Sequence, residues 1–147
     1  MSIKKTTKEF NPFSDKLQSE VQNKKEFFDI SKQVVVDHTV GTRGFVQVAD
    51  LRCTYEDLIH FFGQPMRIVG SDRRVEWGFR EIGSDVGCTI YDDNSGKWTE
   101  KNTPLENVFE WMVGGHCDRS IEMIGQIFEQ EFRSGKTFKS KPIEPKK

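Results

Sequence analysis

Apolar positions alternate with polar ones at period two in three stretches of the chain and recur at helical spacing in three others. Val75, Trp77 and Phe79 alternate through Val75–Arg80, Cys88 and Ile90 follow Val86, and Phe109, Trp111 and Val113 alternate through Val108–Val113. Period-two spacing predicts strands with one face toward a core. Gly83-Ser84-Asp85 links the first pair, and Asp92-Asp93-Asn94-Ser95-Gly96 closes the second strand with turn chemistry. The first link is tight and the second holds no crossover helix, so antiparallel pairing is expected. Upstream, Val34-Val35-Val36 with Val40 and then Phe45–Val48 flank Gly41-Thr42-Arg43-Gly44, a pattern that predicts a hairpin.

The helical stretches differ in strength. Thr54 and Asp57 have capping-box spacing ahead of Tyr55, Leu58, Ile59 and Phe62, which share one face. Cys53 and Leu58 have the spacing of a hydrophobic staple, while Gly63 and Pro65 end the helix. Ile121, Ile124, Phe128 and Phe132, widened by Met123 and Ile127, mark a helix over Asp118–Phe132 with Asp118 as N-cap. Leu17, Val21 and Phe28 form a thinner stripe after Ser14-Asp15, predicting a helix to about residue 30. The resulting expectation is an α+β fold: an antiparallel sheet of three to five strands packed by two helices, with an additional N-terminal helix. Residues 1–13 read as a flexible or docking segment, 14–132 as a single domain and 133–147 as a disordered basic tail.

Composition adds a compartment and a charge pattern. The chain holds no run of about 18–20 apolar residues that could span a membrane. Residues 1–7 lead into no apolar stretch, so no secretory leader is expected. Three scattered cysteines, Cys53, Cys88 and Cys117, point to reduced thiols and a cytoplasmic setting. Net charge is −1, yet the last fifteen residues carry six Lys or Arg against one Glu, so the rest of the chain is net acidic. An acidic body disfavours general DNA binding, which needs net positive potential, and leaves nucleic acid to the tail if it is bound at all.

Phe62-Gly63-Gln64-Pro65, Glu76-Trp77, Thr89-Ile90-Tyr91-Asp92 and Trp111-Met112-Val113-Gly114-Gly115 follow one another in a set order. In this the chain resembles small, mostly uncharacterised proteins of tailed phages and other large DNA viruses, over roughly residues 54–128. The resemblance implies a viral source, host-cell cytoplasm and a compact α+β domain, and carries no catalytic set. A looser similarity, in the helix end and the three strands after it, is to the repeat of periplasmic lipoprotein and lactamase-inhibitor proteins. That one favours binding over catalysis at the level of fold.

Chemistry-bearing residues gather in four places. Gly114-Gly115-His116-Cys117-Asp118-Arg119 joins a strand to a helix, where backbone N–H groups and the helix N-terminus could hold an anion with Arg119 alongside. The competing reading is a sharp turn capped by Asp118. Arg67, Arg73, Arg74 and Arg80 cluster near the first of the three strands, and Arg74 and Arg80 join Gly114, Gly115, His116 and Arg119 as candidate ligand residues. Trp77 and Trp111 offer a stacking platform for a nucleotide. Asp92-Asp93 with Glu76 and Glu110 could form a carboxylate cluster, although a turn and a solvent-facing sheet explain the same residues. His38, His60, His116 and the cysteines lack metal-ligand spacing, so no metal, no cofactor and no catalytic set is expected. Phe10, Phe13, Phe27 and Phe28 exceed what one thin helix buries in itself and are candidate interface residues.

These readings favour a small non-enzymatic interaction protein of viral or phage type that binds a host or viral protein, self-association being the simplest version. One alternative is a binder of a nucleotide or other phosphorylated small molecule at Gly114-Gly115. Another is a minor virion component.

Overall fold

Each strand pattern in the sequence corresponds to a strand, but the pairing is less local than the pattern suggests. The computed structural model describes residues 33–69 and 72–139. In chain order its elements are β1 (Val34–Val36), β2 (Val46–Arg52), α1 (Tyr55–Phe62), β3 (Met66–Arg67), β4 (Val75–Glu81), β5 (Gly87–Tyr91), β6 (Glu110–Gly115) and α2 (Asp118–Arg133). One turn of 3-10 helix covers Leu105–Asn107. The sheet is six-stranded and antiparallel, in the order β1-β4-β5-β6-β2, and β3 shares the outer edge of β4 with β1. The N-terminal docking segment and helix expected from sequence, with Phe10, Phe13, Phe27 and Phe28, lie outside the described residues, as do residues 140–147 of the tail.

The expected hairpin between β1 and β2 does not form. β1 pairs with β4 and β2 with β6, which puts the two at opposite edges of the sheet. Segment 37–45 must therefore cross a sheet face. Glycines make the crossing close: a Cβ on Gly78 would stand 2.6 Å from the Asp37 carbonyl oxygen, and one on Gly87 would stand 2.5 Å from Val40 Cγ2. Bare backbone in a strand is where another backbone can approach. The Asp37 N–H takes advantage of this and donates to the Gly78 carbonyl at 2.7 Å.

The opposite face carries the core. Val75, Trp77 and Phe79 of β4, Cys88 and Ile90 of β5, Trp111 and Val113 of β6, and Ala49 and Leu51 of β2 are buried together with Ile121, Met123, Ile124, Ile127 and Phe128 of α2. Full burial of a side chain such as Phe79 or Ile90 contributes roughly 1.5–3 kcal/mol. Both core indoles keep their N–H groups satisfied, Trp77 Nε1 donating to Gly63 O and Trp111 Nε1 to Cys53 O, each at 2.8 Å. α2 also protects the sheet edge. The Gln130 amide accepts from Val34 N and donates to Val34 O, so β1 has a partner on its outer side.

α1 starts as its sequence predicts. Thr54 Oγ1 accepts from Asp57 N at 3.0 Å and Thr54 N donates to the Asp57 carboxylate at 3.3 Å, while Gly63 takes a φ of 84° at the end. Its buried face is rotated from the expected stripe. Phe61 is buried with Leu58 and Phe62, whereas Tyr55 and Ile59 are only partly covered. The cause is an aromatic cluster in which Phe61 meets Phe128, Phe132 and Phe138 edge-on at 5.2, 5.4 and 4.8 Å. Phe138 lies in the stretch expected to be a disordered tail. Residues 136–139 instead pack on α1, with Lys136 Nζ donating to Phe61 O and Lys139 N to Asp57 Oδ1.

Candidate functional site

Strand β6 runs two residues past its last apolar side chain, Val113, so Gly114 and Gly115 are strand residues rather than a turn. Successive strand residues face opposite sides. A Cβ on Gly115 would stand 2.3 Å from Ser120 Cβ on the helix side, whereas one on Gly114 would stand 2.7 Å from Thr89 Oγ1 on the other. The two glycines thus serve two separate close approaches instead of one anion cradle. The space expected for an anion at the start of α2 is taken by Ser120. Its hydroxyl accepts from His116 N at 3.3 Å and donates to Gly87 O at 2.8 Å. The N-cap is Cys117, with no side-chain capping bond, and Asp118 is the first helical residue rather than the cap.

The arginines proposed to face this junction are held elsewhere. Arg119 donates to Glu81 through Nε and Nη2, at 2.9 and 2.6 Å, and also to Gln126 and Glu122. Arg74 pairs with Asp92, whose other oxygen accepts the N–H groups of Arg74 and Val75 at 2.7 and 3.0 Å. Arg80 pairs with Asp37 at 2.7 Å. The Thr39 hydroxyl and then Arg80 bring the Asp37 carboxyl down to about 2. Trp77 and Trp111, considered for stacking, are core residues. Of the six candidate ligand residues, Gly114 alone lines the sheet-face pocket described next, and His116 stacks on one of the pocket's walls.

That pocket lies between the crossing segment 37–45 and the sheet. It measures about 340 Å³ and is lined by Thr42, Phe45, Val46, Arg73, Thr89, Tyr91 and Gly114. Arg73 lies over the Tyr91 ring, with Cζ 3.6 Å from its centroid, and donates to Glu76 at 2.8 Å. Burial, opposed by Arg73, raises the Tyr91 phenol, which keeps it protonated at neutral pH. Phe45 is fixed by stacking on His116, with ring centroids 5.1 Å apart. Further along the same face, the Glu110 carboxyl is pushed up, first by a hydrogen bond shared with Asp50 and then by burial, with Arg52 opposing.

The acidic run after β5 has a structural use that the sequence only half disclosed. Asp92 anchors the start of β4. Asp93 accepts from Ser95 N, Ser95 Oγ, Trp98 N and Thr99 N at 3.0, 2.6, 2.7 and 3.3 Å. Asn94 accepts from Asn102 N and donates its own N–H to Asp72 O. These bonds fix a loop that presents Trp98, 58% exposed, with Lys97 5.4 Å from its ring. Trp98 went unremarked in the sequence pattern because it stands alone in a polar stretch; Asx-turn residues around a lone Trp are the signal that marks it.

The thiols divide by burial. Cys53 and Cys88 are enclosed and burial pushes both thiols up, while Cys117 is exposed. Among the described residues no three His, Cys, Asp or Glu side chains come together as metal ligands, and no helix is long and apolar enough to cross a membrane. No protein-family model, curated protein or solved structure matches the chain.

Proposed function

We propose that the protein is a small non-enzymatic interaction protein, of viral or phage type, that binds a host or viral protein through the loop around Trp98. The observation that carries this reading is the pairing of exposure with rigidity at Trp98. An exposed indole on a loose loop loses entropy when a partner closes on it. Here the Asp93 carboxylate and the Asn94 amide already hold the backbone in place. A preordered aromatic anchor binds with less entropic cost, and Trp is enriched among residues that dominate interface energy.

The test places a photo-crosslinking residue at position 98, with Val36 on the far edge of the sheet as control, in cells producing the full chain. A discrete adduct from position 98 that is missing from position 36 is expected. Once the partner is identified, Trp98→Ala should weaken its binding by about thirtyfold or more, the range of an interface hot spot. Equal crosslinking from both positions, or unchanged affinity in Trp98→Ala, would overturn the reading. If the adduct is a second copy of the chain, the partner is the protein itself.

A further inference from the structure

Independently of Trp98, the face of the sheet crossed by segment 37–45 carries a built cavity. Its volume, about 340 Å³, lies at the lower end of the range for small-molecule sites, roughly 300–1,000 Å³. Its floor at Gly114 is backbone, and Thr89 Oγ1 and Tyr91 Cε1 stand 2.7 and 3.2 Å from where a Cβ would be, so only glycine keeps this floor open. Thr89 is 2% exposed and lines the cavity. Thr42 adds a second hydroxyl, the Tyr91 phenol a third, and Phe45 an apolar wall.

These groups define a chemistry. Hydroxyls both donate and accept, so they suit the mixed edge of a heteroaromatic ring. A guanidinium plane and a phenyl ring both stack on such a ring. Charge then narrows the class. Arg73 contributes one positive charge, and Glu76 lies 2.8 Å from it with the opposite sign. The chain apart from its tail is net acidic. A polyphosphate would meet no uncompensated cation in this cavity. We propose that the pocket binds a small heteroaromatic ligand of nucleobase or nucleoside type, uncharged or with a single phosphate.

The experiment is a titration of the full-length, isotope-labelled protein with the four nucleosides, their 5′-monophosphates, and ATP and GTP, followed by amide chemical shifts. The expected result is saturable binding of at least one nucleoside or monophosphate. Shifts should centre on Thr42, Phe45, Thr89, Tyr91 and Gly114, and the matching triphosphate should bind no tighter. A nucleoside that binds as well as its monophosphate makes the ring the recognised group; a monophosphate preferred about tenfold assigns its phosphate to Arg73. Thr89→Val, which removes the hydroxyl at nearly constant volume, should weaken binding at least about fivefold, the scale of one hydrogen bond. Gly114→Ala should abolish binding, and Thr89→Val keeps the test valid if that variant fails to fold. No saturable binding to the unsubstituted protein, shifts centred elsewhere, unchanged affinity in Thr89→Val, or a preference for triphosphates would each overturn the proposal.

Discussion

The two faces of the sheet are built from the same strands and behave as different materials. Toward α1 and α2 the strands present Trp77, Phe79, Ile90, Trp111 and Val113, all fully buried. Toward segment 37–45 they present Gly78, Gly87, Thr89, Tyr91, Gly114 and the Arg73–Glu76 pair. Rings fill the first face and leave no room. Glycines hollow the second, so a backbone segment can cross it and a cavity remains beside the crossing. The difference teaches that in this fold stability and binding capacity lie on opposite sides of one layer, and substitutions should separate them.

The largest effect is expected on the helix side. Trp77→Ala removes a buried indole and orphans the Gly63 carbonyl, and large-to-small changes of this kind cost about 3–5 kcal/mol. Urea denaturation should show that loss. The loop-covered face should respond more mildly and more locally. Gly78→Ala drives a Cβ against the Asp37 carbonyl and Val40, a crowding that costs roughly 1–3 kcal/mol. It should also lift segment 37–45, so that native-state trypsin cleavage after Arg43 accelerates. A Gly78→Ala protein with ordinary stability and unchanged cleavage would mean that the glycine floor is not what seats the segment.

Much of the helix side was legible in the sequence, and the reason is local. The capping box at Thr54 and Asp57, the alternation in Val75–Phe79 and the stripe Ile121–Ile124–Phe128 each depend on residues within a turn or two of one another. What stayed hidden depends on partners far along the chain. The segments Val34–Val36 and Val46–Arg52 look like one hairpin because glycines separate them, yet their partners are Phe79–Glu81 and Glu110–Gly115. Gly78 and Gly87 inside strand patterns were the available sign that another backbone lies across them. Phe61 departs from the stripe because its contacts come from α2 and from Phe138. The candidate site was legible as a neighbourhood only. Gly114 was singled out, but for the helix end rather than the sheet face, and Arg74, Arg80 and Arg119 each turn to a carboxylate that spacing alone does not reveal. Arg73 and Thr89 gain their meaning only from the cavity.

The smallest effects, and the sharpest in sign, concern two acids on the loop-covered side. Folding lowers the Asp37 carboxyl from its ordinary 3.8 to about 2, through the Thr39 hydroxyl first and Arg80 second. A depressed carboxylate contributes stability that is complete above its ordinary value and is lost as pH falls through the folded one. Folding raises the Glu110 carboxyl above its ordinary 4.5, chiefly through the hydrogen bond with Asp50. Its contribution has the opposite course: complete below 4.5 and lost as pH rises through the folded value. Asp37→Asn should therefore lower stability at neutral pH and flatten the slope on the acid side between about 4 and 2. Glu110→Gln, which keeps a hydrogen-bonding amide beside Asp50, should remove the loss that the parent suffers above 4.5 and stand relatively more stable at neutral pH. Urea midpoints measured from about pH 2 to about pH 8 for both variants separate the two courses. Slopes that change in the same direction in both would show that the two acids report a common charge effect of the acidic body, and that segment 37–45 is not held by the Asp37–Arg80 pair.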